Sequence, residues 1–201
     1  MSEMWTFVEL GFRHITDIQG LDHILFLFAL AAIYRPRDWR SALLVVTAFT
    51  VGHSITLALA VTGAVRLPTA IIEFLIPVTI VATCIENIIV RDREKALWGG
   101  NYRPVFAAVF GLVHGAGFAN YLRDLFVDRI ALPLLGFNIG IELGQVAVLA
   151  AAALLLFAVD RGLGPLRNVS GWPSPLRIRV LAVSSVVMVV AMRWAIERTP
   201  W

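Results

Sequence analysis

The chain has four histidines, His14, His23, His53 and His114, and three of them fall inside long apolar runs. An ionisable side chain at bilayer depth costs about 2.5–3.5 kcal/mol on insertion scales, so each one asks for a functional reason. Neutral imidazole is a good ligand for nickel, zinc and iron, and a carboxylate oxygen complements it. His23, His53 and His114, joined by Glu142 or Asp22, make a full donor set for one divalent ion. Asp22 and His23 are neighbours, so on a helix they point about 100° apart. One of the two is then placed to orient or charge the site rather than to share its ligand face. Ligating histidines hand their second nitrogen to a carboxylate or amide, a role open to Asp22, Asn138 and Gln145. His14 lies outside the apolar runs, at headgroup level, bordering the site. The lone cysteine, Cys84, excludes an intramolecular disulfide and a cysteine metal knuckle. Without sulfur ligands the donor set suits nickel, zinc, cobalt or iron better than copper(I).

Helical spacing sorts these residues into faces. Asn138, Glu142 and Gln145 stand at i, i+4 and i+7 and form one polar stripe. Gly136, Gly140 and Gly144 form a small-residue stripe on the opposite face, against which another helix can pack closely. Ala107, Gly111, Gly115 and Ala119 repeat that pattern, with His114 beside it. Thr50, His53, Ser54 and Thr56 share a broad face, although buried Ser and Thr commonly bond back to their own helix. Asp22 precedes an apolar run and also fits an N-cap. Glu73 and Glu86 lie near opposite ends of their apolar run, at interfacial depth.

The elements that must carry these residues are membrane helices. Apolar residues make up 59% of the chain and charged ones 15%, and the mean hydropathy is +0.80, far from an ordinary soluble domain. Apolar runs of roughly bilayer length predict spans at 18–34, 42–64, 69–90, 104–122, 131–159 and 178–196. The expected fold is therefore an all-α polytopic bundle of about six spans, or seven if residues 4–17 form a helix of their own. At 201 residues one domain is expected: residues 1–17 as an interfacial or first helix, 18–196 as the bundle and 197–201 as a tail. Trp5, Trp39, Trp98, Trp172, Trp194 and Trp201 all fall at predicted span ends, as an aromatic belt requires. Gly162 to Pro175 reads as a loop. Met1 to Trp5 lacks a basic n-region, so no cleaved signal peptide is expected.

A basic chain of net charge +3 would raise nucleic acid as a partner in a soluble protein. Here flanking arginines account for it, and no nucleic acid is expected. Arg35, Arg37, Arg40, Arg91, Arg93, Lys95, Arg103, Arg161, Arg167, Arg177 and Arg179 fall on one side of the predicted spans. The smaller group, Arg13, Arg66, Arg123, Arg129, Arg193 and Arg198, falls on the other. The positive-inside rule places the larger group in the cytoplasm and both termini outward. The partners expected are the lipid bilayer and a metal ion, with self-association into a homo-oligomer compatible with the glycine stripes.

The sequence resembles the second branch of the HupE/UreJ family of membrane proteins. The resemblance rests on Gly20-Leu21-Asp22-His23, the run Thr47 to Ser54, Phe110-Gly111-Leu112-Val113-His114-Gly115, and the run Phe137 to Gln145. That family is described as nickel or cobalt permeases of hydrogenase and urease maturation. The resemblance implies a bacterial inner membrane protein in which Asp22, His23, His53, His114 and Glu142 form the metal path. Two positions depart from the nickel-type pattern: Thr16 and Phe118 stand where that pattern has histidines, and His14 lies two residues before Thr16.

Two functions fit. The first is a permease passing a divalent ion through the histidine cluster. The second is an intramembrane zinc hydrolase acting on a lipid or membrane peptide, with His23, His53 and His114 holding the ion. Glu142 or Asp22 would then serve as general base.

Overall fold

The computed structural model describes residues 3–18, 20–65, 68–90, 100–123, 131–162, 164 and 173–201. Among these the chain forms seven α-helices and no β-strand: α1 (Glu3–Thr16), α2 (Leu21–Ala32), α3 (Trp39–Val61), α4 (Thr69–Val90), α5 (Arg103–Arg123), α6 (Ala131–Gly162) and α7 (Pro175–Glu197). A 3-10 turn at Pro36–Asp38 leads into α3, and Gly63, at φ 77°, follows its end.

α3, α4, α6 and α7 are each long and apolar enough to cross a membrane. α1 and α2 meet at 67° and together pass the same test as one bent span, while α5 is a shorter apolar helix over Arg103–Phe118. The predicted span at 18–34 is thus the second limb of a bent pair. The stretch before it, broken by Glu9 and Arg13, does not lie apart from the bundle. It folds as α1 and packs along α6.

Three helix pairs pack most closely: α3 with α5, α1 with α6, and α4 with α7. Glycine explains the first two. A Cβ at Gly52 would run into the Ala108 carbonyl oxygen, and one at Gly111 or Gly115 into that of Phe49 or His53. The same holds between α1 and α6, where Gly11 abuts the Phe137 carbonyl and Gly140 that of Val8. Small residues let backbones touch where lipid gives apolar side chains no reason to associate.

At one end of the bundle, arginines are buried rather than lying in a solvated flank. Arg103, 7% exposed, donates to both oxygens of Glu86 and to Asn87 Oδ1 (2.8 Å). Asn87 in turn donates to the Ala29 carbonyl at 2.7 Å. Tyr102 donates to Glu86; burial, then the Glu86 carboxylate, pushes its hydroxyl pKa up. Arg179, 3% exposed, donates to the carbonyls of Ala32 (3.0 Å) and Tyr34 (2.8 Å) and to Asp160. It thereby satisfies carbonyls that the C-terminal end of α2 leaves open. Arg66, Arg91, Arg93, Lys95, Arg129 and Arg167, with Trp98 and Trp172, lie outside the described residues, as does most of the stretch from Gly162 to Pro175.

Candidate metal centre

The 67° bend puts the end of α1 and the first turn of α2 side by side, so His14 and His23 face each other with ring centroids 4.6 Å apart. α3 and α5 supply the other two imidazoles. Their backbones touch where Gly115 abuts the His53 carbonyl, which sets His53 and His114 at one level. His23 is 5.2 Å from His114 and 6.3 Å from His53, ring to ring, and His14 is 6.0 Å from His53. All four histidines therefore meet in one cluster.

The tightest group is His14, His23 and His53, whose ligand nitrogens lie within 4.8 Å of one another. A divalent ion would sit about 2.0–2.1 Å from each such nitrogen. His53 is fully buried, and neither of its nitrogens has a hydrogen-bond partner; His14 Nε2 and His23 Nε2 are in the same state. Buried polar atoms are nearly always paired, and each of these three rings leaves an orphan nitrogen that a cation could satisfy. His114 differs. Its Nε2 lies 3.1 Å from Thr79 Oγ1, and that hydroxyl donates to the Ile76 carbonyl at 2.7 Å. With its proton so used, the hydroxyl accepts from Nε2–H, which leaves the unpartnered Nδ1 with its lone pair free. An outer hydrogen bond that fixes a tautomer in this way is what a ligating histidine needs.

A cavity of about 370 Å³ reaches the cluster from the end of the bundle opposite Arg103 and Arg179. His14, His23 and His114 line it beside three carboxylates, Asp17, Asp22 and Glu73, and one cation, Arg198. Asp22 sits in the first turn of α2 without capping it; Gly20 is the N-cap and has no side-chain bond. The Asp22 carboxylate instead accepts from Arg198 Nη1, at 3.3 Å to each oxygen. Arg198 also lies 5.2 Å over the Trp194 ring. Beneath the imidazoles the way is closed. Phe26 and Phe49 are each at most 2% exposed and stack at 4.9 Å, with Phe49 5.1 Å from His114. Phe137, 6.5 Å from His53, stacks on Phe118 in the cavity wall instead.

Glu142 is placed elsewhere. Its Oε1 accepts from Thr47 Oγ1 at 2.6 Å, six residues before His53 and thus about 9 Å along α3. Gln145 accepts from Thr50 Oγ1 at 2.7 Å. The α6 polar stripe therefore faces α3, while its glycine stripe faces α1. Asn138 Oδ1 is buried without a partner. Ser54 and Thr56 bond back to the Thr50 and Gly52 carbonyls at 2.7 and 3.4 Å. Thr16 does the same to Phe12 at 3.0 Å, and Phe118 packs on His14 with centroids 4.0 Å apart. At the two departures from the nickel-type pattern, then, one side chain turns back to its own helix and the other forms an aromatic wall against His14.

Sequence reasoning set His14 at the border, where the structure sets it in the tightest triad. It left Glu73 at the interface rather than in the cavity wall. The signal for His14 was its place nine residues before His23, across a Gly20 break short enough to fold one helix end against the next.

The HupE / UreJ protein family model matches this chain over residues 1–198. Comparison with curated proteins and with solved structures gives no match.

Proposed function

The chain belongs to the HupE/UreJ family, and from that premise we propose that it is a permease for a divalent transition metal ion of the nickel or cobalt type. The observation that carries this reading is the set of orphan imidazole nitrogens of His14, His23 and His53, within 4.8 Å of one another at the base of an acidic cavity. In this reading the larger group of basic residues is cytoplasmic, both termini face outward, and the cavity opens on the outer side of a bacterial inner membrane. Asp17, Asp22 and Glu73 concentrate cations at the mouth, since charged clefts with low-dielectric walls focus the field. The ion then exchanges its water for His14, His23 and His53, and His114 Nδ1 adds a fourth nitrogen. Beyond the cluster, passage requires the Phe26 and Phe49 floor to part. Glu142, Thr47, Thr50 and Gln145 offer oxygen ligands about 9 Å farther along α3.

The closed floor also favours a second reading, the zinc hydrolase. A three-histidine ion with an open position lowers the pKa of its water to near 7, and Asp22 or Glu73 lies in the same cavity to act as base. Glu142, bonded to Thr47, is poorly placed for that role.

Proteoliposomes loaded with a metal-sensitive dye separate the two. Saturable nickel or cobalt uptake, abolished in His53→Ala, supports the permease. One zinc bound per chain, with no flux of any of the three metals, removes it in favour of the enzyme. Absence of both metal binding and flux removes both.

A further inference from the structure

We infer that Phe26 is the gate of the ion path and that the pocket beneath it, between α2, α4 and α5, is the exit; this deepens the permease reading and rests on it. The pocket holds about 50 Å³. A cavity needs roughly 10–15 Å³ to take one water, so there is room for more than one. Phe26, Ala82, Thr83, Glu86, Arg103 and Phe110 are among the residues that line it. Phe26 stands about one helical turn after His23, and its ring also lies 5.9 Å from that of His114. This ring, 2% exposed, thus stands between the histidine cluster and the pocket. The same order repeats along α4. Glu73 and Ile76 line the acidic cavity, Thr79 bonds His114, and Thr83, one turn farther on, lines the pocket.

The packing separates the ring that moves from the ring that stays. Phe49 is hemmed in: its ring lies 6.3, 6.2 and 5.1 Å from those of His23, His53 and His114, and its carbonyl abuts Gly111. Phe26 stacks on Phe49 but borders the pocket, which gives its ring a space to turn into. Its helix, α2, belongs to none of the three closest helix pairs. Beyond the gate the chemistry suits release rather than capture. Thr83 spends its hydroxyl proton on the Thr79 carbonyl at 3.0 Å, so it meets the pocket as an acceptor. Glu86 is already bonded by Tyr102 and Arg103, and its charge is compensated. An ion leaving the imidazoles therefore meets one hydroxyl and a neutralised carboxylate, and a path conducts only where the ion can let go. Glu142 and Thr47 lie off this line, since Thr47 is exposed on the outside of the bundle.

Phe26 supplies no ligand atom, so the test sets flux against binding. Nickel or cobalt uptake is followed in proteoliposomes of the full chain loaded with a metal-sensitive dye, beside isothermal titration with the same metal. Phe26→Ala should raise the uptake rate on the order of tenfold, the effect of taking about 1.4 kcal/mol off a barrier, while affinity stays near that of wild type. Phe26→Leu, closer in volume, should give a smaller increase and serves where Phe26→Ala does not fold. Thr83→Phe fills the space the ring turns into and should slow uptake by a similar factor, with the ion still bound at the cluster. Wild-type uptake that the Phe26 variants leave unchanged overturns the gate, and uptake that Thr83→Phe leaves unchanged overturns the exit. The permease reading survives either result. Wild type and Phe26→Ala both without flux remove that reading and the gate with it.

Discussion

The two ends of the bundle bury comparable amounts of polar chemistry and treat it in opposite ways. At the Arg103 end, Glu86, Arg103 and Asn87 are bonded to one another, and Arg179 spreads its donors over Ala32, Tyr34 and Asp160. At the cavity end, His53 has two buried nitrogens and no hydrogen bond, and His14, His23 and His114 each leave one nitrogen unpaired. A buried polar group without a partner costs about 1–3 kcal/mol. Apart from Asp160 Oδ1, the first region is therefore finished by the protein itself, and the second is left open. The contrast separates a polar network closed on itself from one left open.

The largest effect should come from breaking the finished end. Arg103→Met leaves the Glu86 carboxylate and Asn87 facing each other without a cation. Losing one partner of a buried pair costs about 3–5 kcal/mol. Denaturant unfolding in detergent should show that loss, and the double replacement Glu86→Leu with Arg103→Met should recover most of it. If Arg103→Met alone unfolds with unchanged midpoint, the inner network is ornamental and the contrast fails.

At the unfinished end the sign reverses. His53→Leu removes two orphan nitrogens, so the metal-free protein should be as stable as wild type or more so. Metal affinity should meanwhile fall by more than the 10–100-fold that loss of an outer-sphere partner costs. Isothermal titration with nickel or cobalt, beside the same unfolding measurement, reads both. A His53→Leu protein destabilised like Arg103→Met would place this imidazole among the structural groups.

Adding metal should raise the stability of wild type by about 2.7 kcal/mol at one hundred times the dissociation constant. A chelator should reverse the gain, and His14→Ala should shrink it. His14→Ala responding to metal as fully as wild type would return that residue to the border of the site.

The smallest effect is expected at the mouth. The Asp22–Arg198 pair is partly exposed, and such pairs contribute about 0–1 kcal/mol. Arg198→Gln should therefore change the unfolding midpoint little. It takes a positive charge out of the cavity, so metal should bind about two- to fivefold more tightly, as a weakly screened charge at this range would give. No tightening, at low or high salt, would show that Arg198 does not compete with the ion.

Much of the fold was legible because hydropathy reports span length, and glycine spacing reports which faces can touch. Gly136, Gly140 and Gly144 stood opposite Glu142 and Gln145, and the structure turns the two faces to different partners, α1 and α3. The bend at Gly20 was harder to read. Glu9, Arg13 and Asp17 gave the first helix the composition of a surface segment, and only its packing on α6 shows otherwise. Arg103 and Arg179 looked like flanking charges for the same reason: residue type near a span end does not say whether the side chain points to water or folds back under the helices. For the candidate site, residue types singled out His23, His53 and His114, but that His14 joins their cluster and that Glu142 bonds Thr47 depended on rotation about helix axes, which spacing within one helix leaves open.

The backbone-to-backbone contacts carry a mechanical consequence. Helices that touch through glycine have no compressible side-chain layer between them, so α3 with α5 and α1 with α6 each act as a stiff strut. His53 and His114 ride on the first strut, His14 on the second, and His23 on α2, which is jointed to α1 at the bend. Sliding one strut past the other leaves the spacing within each intact and changes the distances among the four imidazoles. A captured cation would resist that motion, and the motion would in turn loosen its grip.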